Sequence, residues 1–188
     1  MNGRPPRSLP YESVSVGDKL PGLEVPVTRT LVVAGAIASR DYQDVHHDPE
    51  LARERGSPDV FMNILTTNGF VGRFVTDWSG PAGVLEAIAI RLGAPNYPGD
   101  TMVLSGEVTA KLGPSERSGS RGVVEVAVRG ANRLGDHVTG TVRVGLPMGR
   151  APDPDTRSSP EGTVEGTPGG TAEGMAEGMA EGSPGALA

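Results

Sequence analysis

The sequence predicts an α+β fold in which one antiparallel sheet packs against a long helix. The prediction depends on three observations: apolar residues at helical spacing over 60–78, four later segments rich in β-branched residues, and turn residues between those segments. One strand and two shorter helical patterns precede the long helix. Together these patterns occupy residues 21–148, a length that suits one small hydrophobic core.

The chain begins with an arm, residues 1–20, which contains several prolines and serines and which we expect to lie on the domain or on a partner. Apolar and polar residues then alternate over 23–30, which predicts a half-buried strand, and Pro26 within it predicts an edge position. Thr30 is the expected cap of the first helix. The apolar side of that helix is predicted to consist of Leu31, Ala34, Ile37 and Ala38.

Two further helices are predicted. Asp48 followed by Pro49 is the pattern of an N-cap and a first helical residue, and it starts a short helix. The longest helical pattern follows over 60–78, and its apolar stripe is interpreted as core. Gly69 and Gly72 are unusual there, because glycine costs about 1 kcal/mol relative to alanine in a helix. We therefore expect them on a bare helix face that a sheet, a partner or a ligand approaches closely.

Four strands are predicted after the long helix. Each segment is rich in β-branched residues, and apolar and polar residues alternate clearly over 124–129. The pair Gly135 and Asp136 has the composition of a tight hairpin turn between the last two strands. The four predicted strands cover residues 84–92, 101–112, 122–132 and 137–146.

Composition excludes several classes of function. The chain has no cysteine and three histidines, so a disulfide framework and a thiolate metal site are excluded, and we expect no metal ion. No basic patch is present, which argues against nucleic acid as a partner. Apolar runs are too short to span a membrane, and no apolar segment follows the N-terminal arginines. We therefore expect a cytoplasmic protein without a membrane partner.

Residues 149–188 differ in composition from everything before them. Alanine, glutamate and glycine recur every four residues near the end of the chain. Seven acidic residues against two arginines give this segment −5 of the total charge of −6, which leaves the body nearly neutral. Low apolar content and charge of one sign predict a disordered tail.

Deletion of residues 151–188 is expected to leave folding and activity essentially unchanged, because a repeat of this composition has little to pack against the domain. Thermal unfolding and an activity assay of the truncated chain check this expectation. A large fall in melting temperature, or loss of complex formation, would contradict it.

One stretch, residues 39–49, brings carboxylates and imidazoles closer together than any other part of the chain. Asp41 and His46 are five positions apart, between the first predicted helix and the start of the second. A carboxylate and an imidazole that face one small volume can polarise a water and transfer its proton, as in general acid–base catalysis. Aspartate, histidine and glutamine are also ordinary residues of solvated loops, so this stretch alone leaves both interpretations open.

The order of elements and the Asp-x4-His loop resemble the hotdog fold, and more narrowly the MaoC-like, R-specific enoyl-CoA hydratases. Asp41 and His46 occupy the positions of the family's Asp and His, and residues 97–100 resemble its strand-opening turn. Gln43 and Asp44 replace the asparagine and the proline that are usual in the motif. The resemblance implies a single hotdog domain and a hydro-lyase, with Asp41 and His46 as the catalytic residues.

Several separate blocks resemble a subgroup of this family, the small subunits of heteromeric steroid enoyl-CoA hydratases of bacterial cholesterol side-chain degradation. The resemblance implies a thioester of the 3-oxo-pregnadiene-carboxyl-CoA type as substrate, hydrated to its 17-hydroxy product without a further cofactor. It also implies two protein partners: a larger MaoC-like subunit with an additional aldolase-recruiting domain, and a thiolase-like aldolase. The blocks are residues 40–48, 61–66, 75–81 and 134–139.

The resemblance also implies a set of substrate-binding residues. In related hydratases a backbone N–H at the start of the central helix stabilises the enolate that forms on the thioester oxygen. In this chain the corresponding position is near Asn63, where relatives often have glycine. Asn68 is either a hydrogen-bonding residue for substrate or partner, or a buried structural amide. Gly69 and Gly72 are expected to leave room for a bulky substrate or for the partner.

The sequence contains two other histidines, and it is compatible with two functions other than hydration. His47 competes with His46 for the role of base, and His137, beside a predicted hairpin turn, is expected at the surface. A hotdog acyl-CoA thioesterase shares the fold and the CoA ligand, but its acid tends to lie on the central helix, where this chain has only Asp77 near the far end. A non-catalytic partner subunit would not need both Asp41 and His46.

Overall fold

The computed structural model describes residues 8–114, 119 and 121–149. The helices of this part are α1 (Arg29–Ala38), α2 (Pro49–Glu54) and α3 (Ile64–Ser79), and the strands are β1 (Leu23–Pro26), β2 (Val84–Leu92), β3 (Thr101–Pro114), β4 (Arg121–Asn132) and β5 (Gly135–Pro147). All strand pairs are antiparallel and the sheet order is β1-β3-β4-β5-β2. The predicted α+β fold is confirmed, and the strand with Pro26 lies at an edge as expected.

The core lies between the sheet and the apolar stripe of α3. Val71 and Val75 on that stripe have no exposed surface, and Phe74 beside them is almost fully buried. Gly106 on β3 allows this close packing, because a Cβ built there would lie 2.9 Å from the ring of Phe74. The sheet therefore fixes α3 along its length, and with it the start of the helix at Ile64.

The described part of the N-terminal arm lies on the domain. The backbone N–H of Leu20 donates to Gly106, and that of Val108 donates to Asp18, so the arm runs beside β3. The side chains of Val14 and Leu20 are buried in the core. The predicted tail lies outside the described residues, apart from Gly149.

Four sequence predictions about the fold were wrong in detail. Thr28, not Thr30, caps α1, since its side chain accepts from the N–H of Leu31. The buried side of α1 is formed by Val32 and Ala36, whereas the predicted core residue Ile37 is 56% exposed. The stretch 31–38 is apolar almost throughout, so its periodicity could not define the buried face.

The other two differences concern the start of α3 and the last hairpin. Residues 60–63 precede α3 rather than forming its first turn. The turn between β4 and β5 is made by residues 133–134, because Asn132 pairs directly with Gly135. Gly135 follows the turn with φ of 124°, a conformation that residues with a Cβ rarely adopt. The turn therefore lies two residues earlier than predicted.

Candidate active site

The loop after α1 is held against the last turn of that helix. The N–H of Arg40 donates to the carbonyl of Ile37 at 3.1 Å and that of Asp41 to Ala36 at 2.9 Å, the two bonds of a Schellman motif. Arg40 has φ of 58° at the position where such motifs usually have glycine. A left-handed conformation costs a residue with a Cβ about 1–2 kcal/mol. The surrounding hydrogen bonds maintain this backbone, and they fix Asp41 at the end of α1.

The other end of the loop is anchored on α2. The carboxylate of Asp48 accepts from the N–H groups of Glu50 and Leu51, the predicted N-cap. Asp44 forms an ion pair with Arg55 at 2.8 Å and therefore does not supply a second carboxylate to the site. The loop is tied to both helices, so His46 between these anchors has a fixed backbone.

Asp41 and His46 meet in this loop. The Nε2 atom of His46 lies 3.3 Å from Oδ2 of Asp41, and both side chains are nearly buried, with 7% and 13% of their surfaces exposed. The Nδ1 atom of His46 lies 2.8 Å from the carbonyl oxygen of Phe61. Since a carbonyl can only accept, Nδ1 carries the proton and donates it there. The structure thus turns Nε2 toward the carboxylate.

Phe61 positions the imidazole in a second way, through its ring. The two rings meet edge to face, with centroids 5.0 Å apart. The backbone of the same segment is fixed on both sides, because the N–H of Phe61 donates to Val45 and that of Met62 to Asn96. Phe61 was not among the site residues predicted from the sequence. Its hydrogen bond uses a backbone carbonyl, which any residue type would provide.

Asn63 places the start of α3 beside the pair. Its side-chain oxygen accepts from the N–H of Thr66 and so caps the helix, while Nδ2 lies 3.0 Å from Oδ2 of Asp41 and 2.8 Å from Oγ of Ser39. The N–H groups of the first helical turn have no acceptor within the helix. They lie at the positive end of the helix dipole. The site thus combines a carboxylate, an imidazole and a helix N-terminus.

The two other histidines differ from each other in surroundings. His47 is exposed, and its Nε2 lies 3.2 Å from the carbonyl of Tyr42 rather than against Asp41. The expectation of a surface position for His137 was wrong, since only 1% of this residue is exposed. Its Nδ1 donates to Ala94 at 2.7 Å, and its Nε2 accepts from the hydroxyl of Thr67 at 2.8 Å. The shifted hairpin turn explains the error, because His137 lies within β5 and not beside the turn.

Stability should decrease at acid pH because of His137. Burial lowers the pKa of His137 below its ordinary 6.5, and the hydrogen bond to Ala94 partly opposes this shift. The unfolded chain therefore binds a proton that the folded chain excludes. The contribution to the unfolding free energy is complete above pH 6.5 and decreases as the pH falls through the interval toward the lowered folded pKa. Denaturant unfolding between pH 5 and pH 8 measures this slope.

His137→Gln should reduce the slope and cost about 1–3 kcal/mol at neutral pH, because buried hydrogen-bonding groups lose their partner. His47→Gln is the matched control, since it removes an exposed histidine and should keep the wild-type slope. An unchanged slope in His137→Gln would contradict the prediction.

The predicted substrate-binding face of α3 divides into two parts. Gly72 packs on the sheet, since a Cβ there would lie 3.4 Å from the side chain of Leu85 and 3.5 Å from that of Ile88. Gly69 is open, with nothing within 4 Å of the same position. The side-chain oxygen of Asn68 is buried without a hydrogen-bond partner in the part of the chain that the structure describes. Gly72 thus meets a strand, and Gly69 leaves its helix face free.

Residues next to the site expose large apolar side chains. Tyr42, directly after Asp41, is 66% exposed, and Ile64 and Leu65, directly after Asn63, are 48% and 49% exposed. Within the described ranges no group of three or more acidic or histidine side chains could hold a metal ion. The site is therefore a carboxylate and an imidazole, residue types that can transfer protons, beside exposed apolar side chains.

Comparison with known proteins gives matches both in sequence and in structure. Residues 13–143 match the family model of the MaoC like domain. Over 131 residues the chain is 47% identical to the 3-oxo-4,17-pregnadiene-20-carboxyl-CoA hydratase beta subunit of Mycobacterium tuberculosis, an alignment that covers 70% of this chain and 95% of that protein.

Solved structures show the same likeness. The crystal structure of the ChsH1–ChsH2 complex from Mycobacterium tuberculosis contains a chain that is 47% identical, with a TM-score of 0.64 and coverage of 70% of this chain and 98% of that one. An R-hydratase from Pseudomonas aeruginosa in its unliganded form matches with a TM-score of 0.66 at 22% identity, over 76% and 88% of the two chains. The second match concerns the fold alone.

Proposed function

This chain belongs to the MaoC-like domain family, and from that premise we propose that it is the catalytic small subunit of a heteromeric enoyl-CoA hydratase acting on a steroid-CoA thioester. The observation that carries the proposal is the contact between Asp41 and His46, whose nearly buried side chains approach to 3.3 Å. The substrate class is supported by the 47% identity to a hydratase subunit whose name specifies a pregnadiene carboxyl-CoA.

The pair is suited to hold and activate one water. With the His46 proton on Nδ1 and Asp41 ionised, Nε2 and Oδ2 are two acceptors that face each other. A water that donates one hydrogen to each bridges the two atoms from one side, and its lone pairs are directed away from them, toward a substrate. The hydroxyl adds to the β-carbon of the unsaturated thioester. The proton left on the pair passes to the α-carbon, and the pair returns to its starting state.

The start of α3 supports the second requirement of this reaction. Addition at the β-carbon places negative charge on the thioester oxygen, which needs hydrogen-bond donors that are already in position. The first-turn N–H groups of α3, around Asn63 and Ile64, lie next to Asp41 and carry the partial positive charge of the helix dipole. The addition of water is not a redox step, and these groups suffice without a separate cofactor.

The substrate body fits the apolar surface beside the pair. Tyr42, Ile64 and Leu65 are exposed and directly follow site residues in the chain. Exposed apolar side chains of this size cost free energy in water, and covering them with a polycyclic ring system or with a partner subunit recovers it. Gly69, whose helix face is open, leaves room for a bulky group.

A second hotdog subunit completes the assembly in this proposal. Within the described residues β2 pairs in the sheet only with β5, so it is an edge strand of nine residues, and an edge strand can add a strand from another chain. A related chain is found in the ChsH1–ChsH2 complex. The partner is a larger MaoC-like subunit whose additional domain recruits a thiolase-like aldolase, which then cleaves the hydrated side chain.

The thioesterase alternative is less well supported. The only acidic residue on α3 is Asp77, which forms an i,i+4 ion pair with Arg73 near the end opposite to the site. It therefore lies away from Asp41 and His46 and is not placed to act with them.

The test is an assay of the chain purified with its larger MaoC-like partner, using the unsaturated steroid-CoA thioester and mass spectrometry of the products. A product that gains one water supports the hydratase. Free CoA without hydration would favour the thioesterase, and unchanged substrate would favour a non-catalytic subunit.

A further inference from the structure

The side-chain carboxamide of Asn63 forms three hydrogen bonds. Its oxygen accepts from the N–H of Thr66 at 2.9 Å, and its nitrogen reaches Ser39 Oγ at 2.8 Å and Asp41 Oδ2 at 3.0 Å. The residue is 1% exposed, so each of these bonds is shielded from water. One side chain thus joins the N-terminus of α3 to the C-terminal end of α1.

The direction of these bonds is determined by their partners. A backbone N–H can only donate, so the amide oxygen must face Thr66. The hydroxyl of Ser39 donates to the carbonyl of Gly35 at 2.7 Å, which leaves its oxygen to accept from Asn63. The amide nitrogen has two hydrogens, one for Ser39 and one for Asp41. A flipped amide would set its oxygen against the carboxylate and its nitrogen against an N–H.

We propose that the side chain of Asn63 is the positioning residue of the catalytic carboxylate. It donates a hydrogen bond that holds Oδ2 of Asp41 toward Nε2 of His46. Both contacts use the same oxygen, Oδ2. This role rests on the proposed function, and it differs from substrate binding through the backbone of Asn63, because it depends on the amide group alone.

Neither aspartate nor serine, two other preferred N-cap residues, satisfies this position at neutral pH. Aspartate can cap the helix equally well but has no hydrogen to donate to Asp41. Serine can also cap the helix, but it is too short to bridge Thr66, Ser39 and Asp41 together. Substitutions at position 63 can therefore remove the hydrogen bond to Asp41 while keeping a cap on α3.

The first test compares Asn63→Asp and Asn63→Ser with wild type in the complex with the larger subunit. In Asn63→Asp two carboxyl groups face each other at about hydrogen-bond distance, and they cannot both be charged without repulsion. At high pH the rate should fall about 10²-fold or more. As the pH is lowered, the carboxyl at position 63 gains a proton and can donate it to Asp41 as the amide did. The deficit relative to wild type should therefore shrink toward pH 5.

Asn63→Ser lacks both the donor and the repulsion, so its rate should fall by a similar factor at every pH. Thr28→Ala is the control for loss of a helix cap, because Thr28 caps α1 through the N–H of Leu31 and does not bond Asp41. It should lower the melting temperature and keep the wild-type rate. A wild-type pH–rate profile in Asn63→Asp, or equal deficits of Asn63→Asp and Asn63→Ser at all pH values, would overturn the inference.

A second measurement needs no activity. The melting temperature of Asn63→Asp should fall below that of wild type as the pH rises above about 4, because the folded state then must deprotonate a carboxyl group that faces another carboxylate. The exchanged variant Asp41→Asn with Asn63→Asp restores one donor and one acceptor and should recover this loss without recovering the rate.

The two measurements separate the inference from the proposed function. If the wild-type complex does not hydrate the thioester while the exchange recovers stability, the proposed function fails and the contact between Asn63 and Asp41 stands. If Asn63→Asp does not fold, recovery of folding in the exchanged variant supports the contact. Failure of the exchanged variant to recover either folding or melting temperature would overturn it.

Discussion

Replacement of Asp41 or His46 by alanine is expected to abolish hydration and to leave assembly with the larger subunit intact. Loss of a positioned acid or base costs about 10²-fold or more in rate. Here both groups hold the same water in the proposed mechanism, so either substitution should remove most of the activity. Asp41→Asn is the cleaner variant, because the amide keeps the shape of the side chain and its oxygen can still accept from Asn63.

The matched control is His47→Ala. His47 directly follows His46 in the chain, but it is exposed and its Nε2 lies against the carbonyl of Tyr42. Its replacement should reduce the rate little. Steady-state kinetics of the purified complexes measure these rates, and size-exclusion chromatography checks assembly. Near-normal turnover in both Asp41→Ala and His46→Ala would disprove the assignment. A loss of activity confined to His47→Ala would show that His47, not His46, is the catalytic imidazole.

His46→Ala should also reduce stability somewhat. The ring is buried against Phe61 and donates to its carbonyl, so its removal leaves a buried acceptor without a partner. Such a loss costs about 1–3 kcal/mol. The assembly and the rate of this variant are therefore best measured well below its melting temperature. A loss of rate measured there reflects the chemical step and not unfolding.

The strands and the contact between Asp41 and His46 could be predicted from the sequence because both have local signals. Alternation over 124–129 identifies β4, and β2 covers the predicted residues 84–92. The spacing of Asp41 and His46 matches a family motif, and the structure brings the two side chains together. The hotdog, MaoC-like fold implied by that resemblance is confirmed by the family match and by solved structures.

Most contacts that position the pair could not be predicted, because they use groups without a sequence signal. The carbonyl of Phe61 and the backbone conformation of Arg40 depend on tertiary structure. Asn63 did have a signal, since asparagine is a preferred N-cap. The apolar residue Val60, however, matches the helical spacing of the following stripe, so the pattern did not indicate that the helix begins after Asn63. The helical pattern alone therefore predicted a start at residue 60, and only the family resemblance placed Asn63 at the start of the helix.

The second large effect expected is a dependence of activity on the partner subunit. This chain supplies one hotdog unit, while members of the resembled family bind CoA between two such units. In the described part of the sheet, β2 is an edge strand of nine residues, and the apolar side chains of Ile64 and Leu65 are exposed beside the site. We expect the full chain alone to be weakly active, and to gain rate about 10²-fold when the larger MaoC-like subunit is added, since an incomplete substrate groove loses positioning of the thioester.

A titration of the larger subunit into a fixed concentration of this chain, with rate and sizing measured together, decides between a heteromer and a homodimer. The rate should rise until one defined ratio of the two subunits is reached and then remain constant.

Ala89→Lys places a charge on the exposed face of the edge strand β2 and should weaken the complex, because lysine on an edge strand opposes pairing with another chain. Thr141→Lys is the matched control, since Thr141 lies opposite Ala89 on the interior strand β5 and is equally on the exposed face. A homodimer would give two equal sites with Asp41 and His46 in each, and the isolated chain would then turn over the thioester as fast as the mixture. That result would exclude the heteromer and leave the catalytic pair in place.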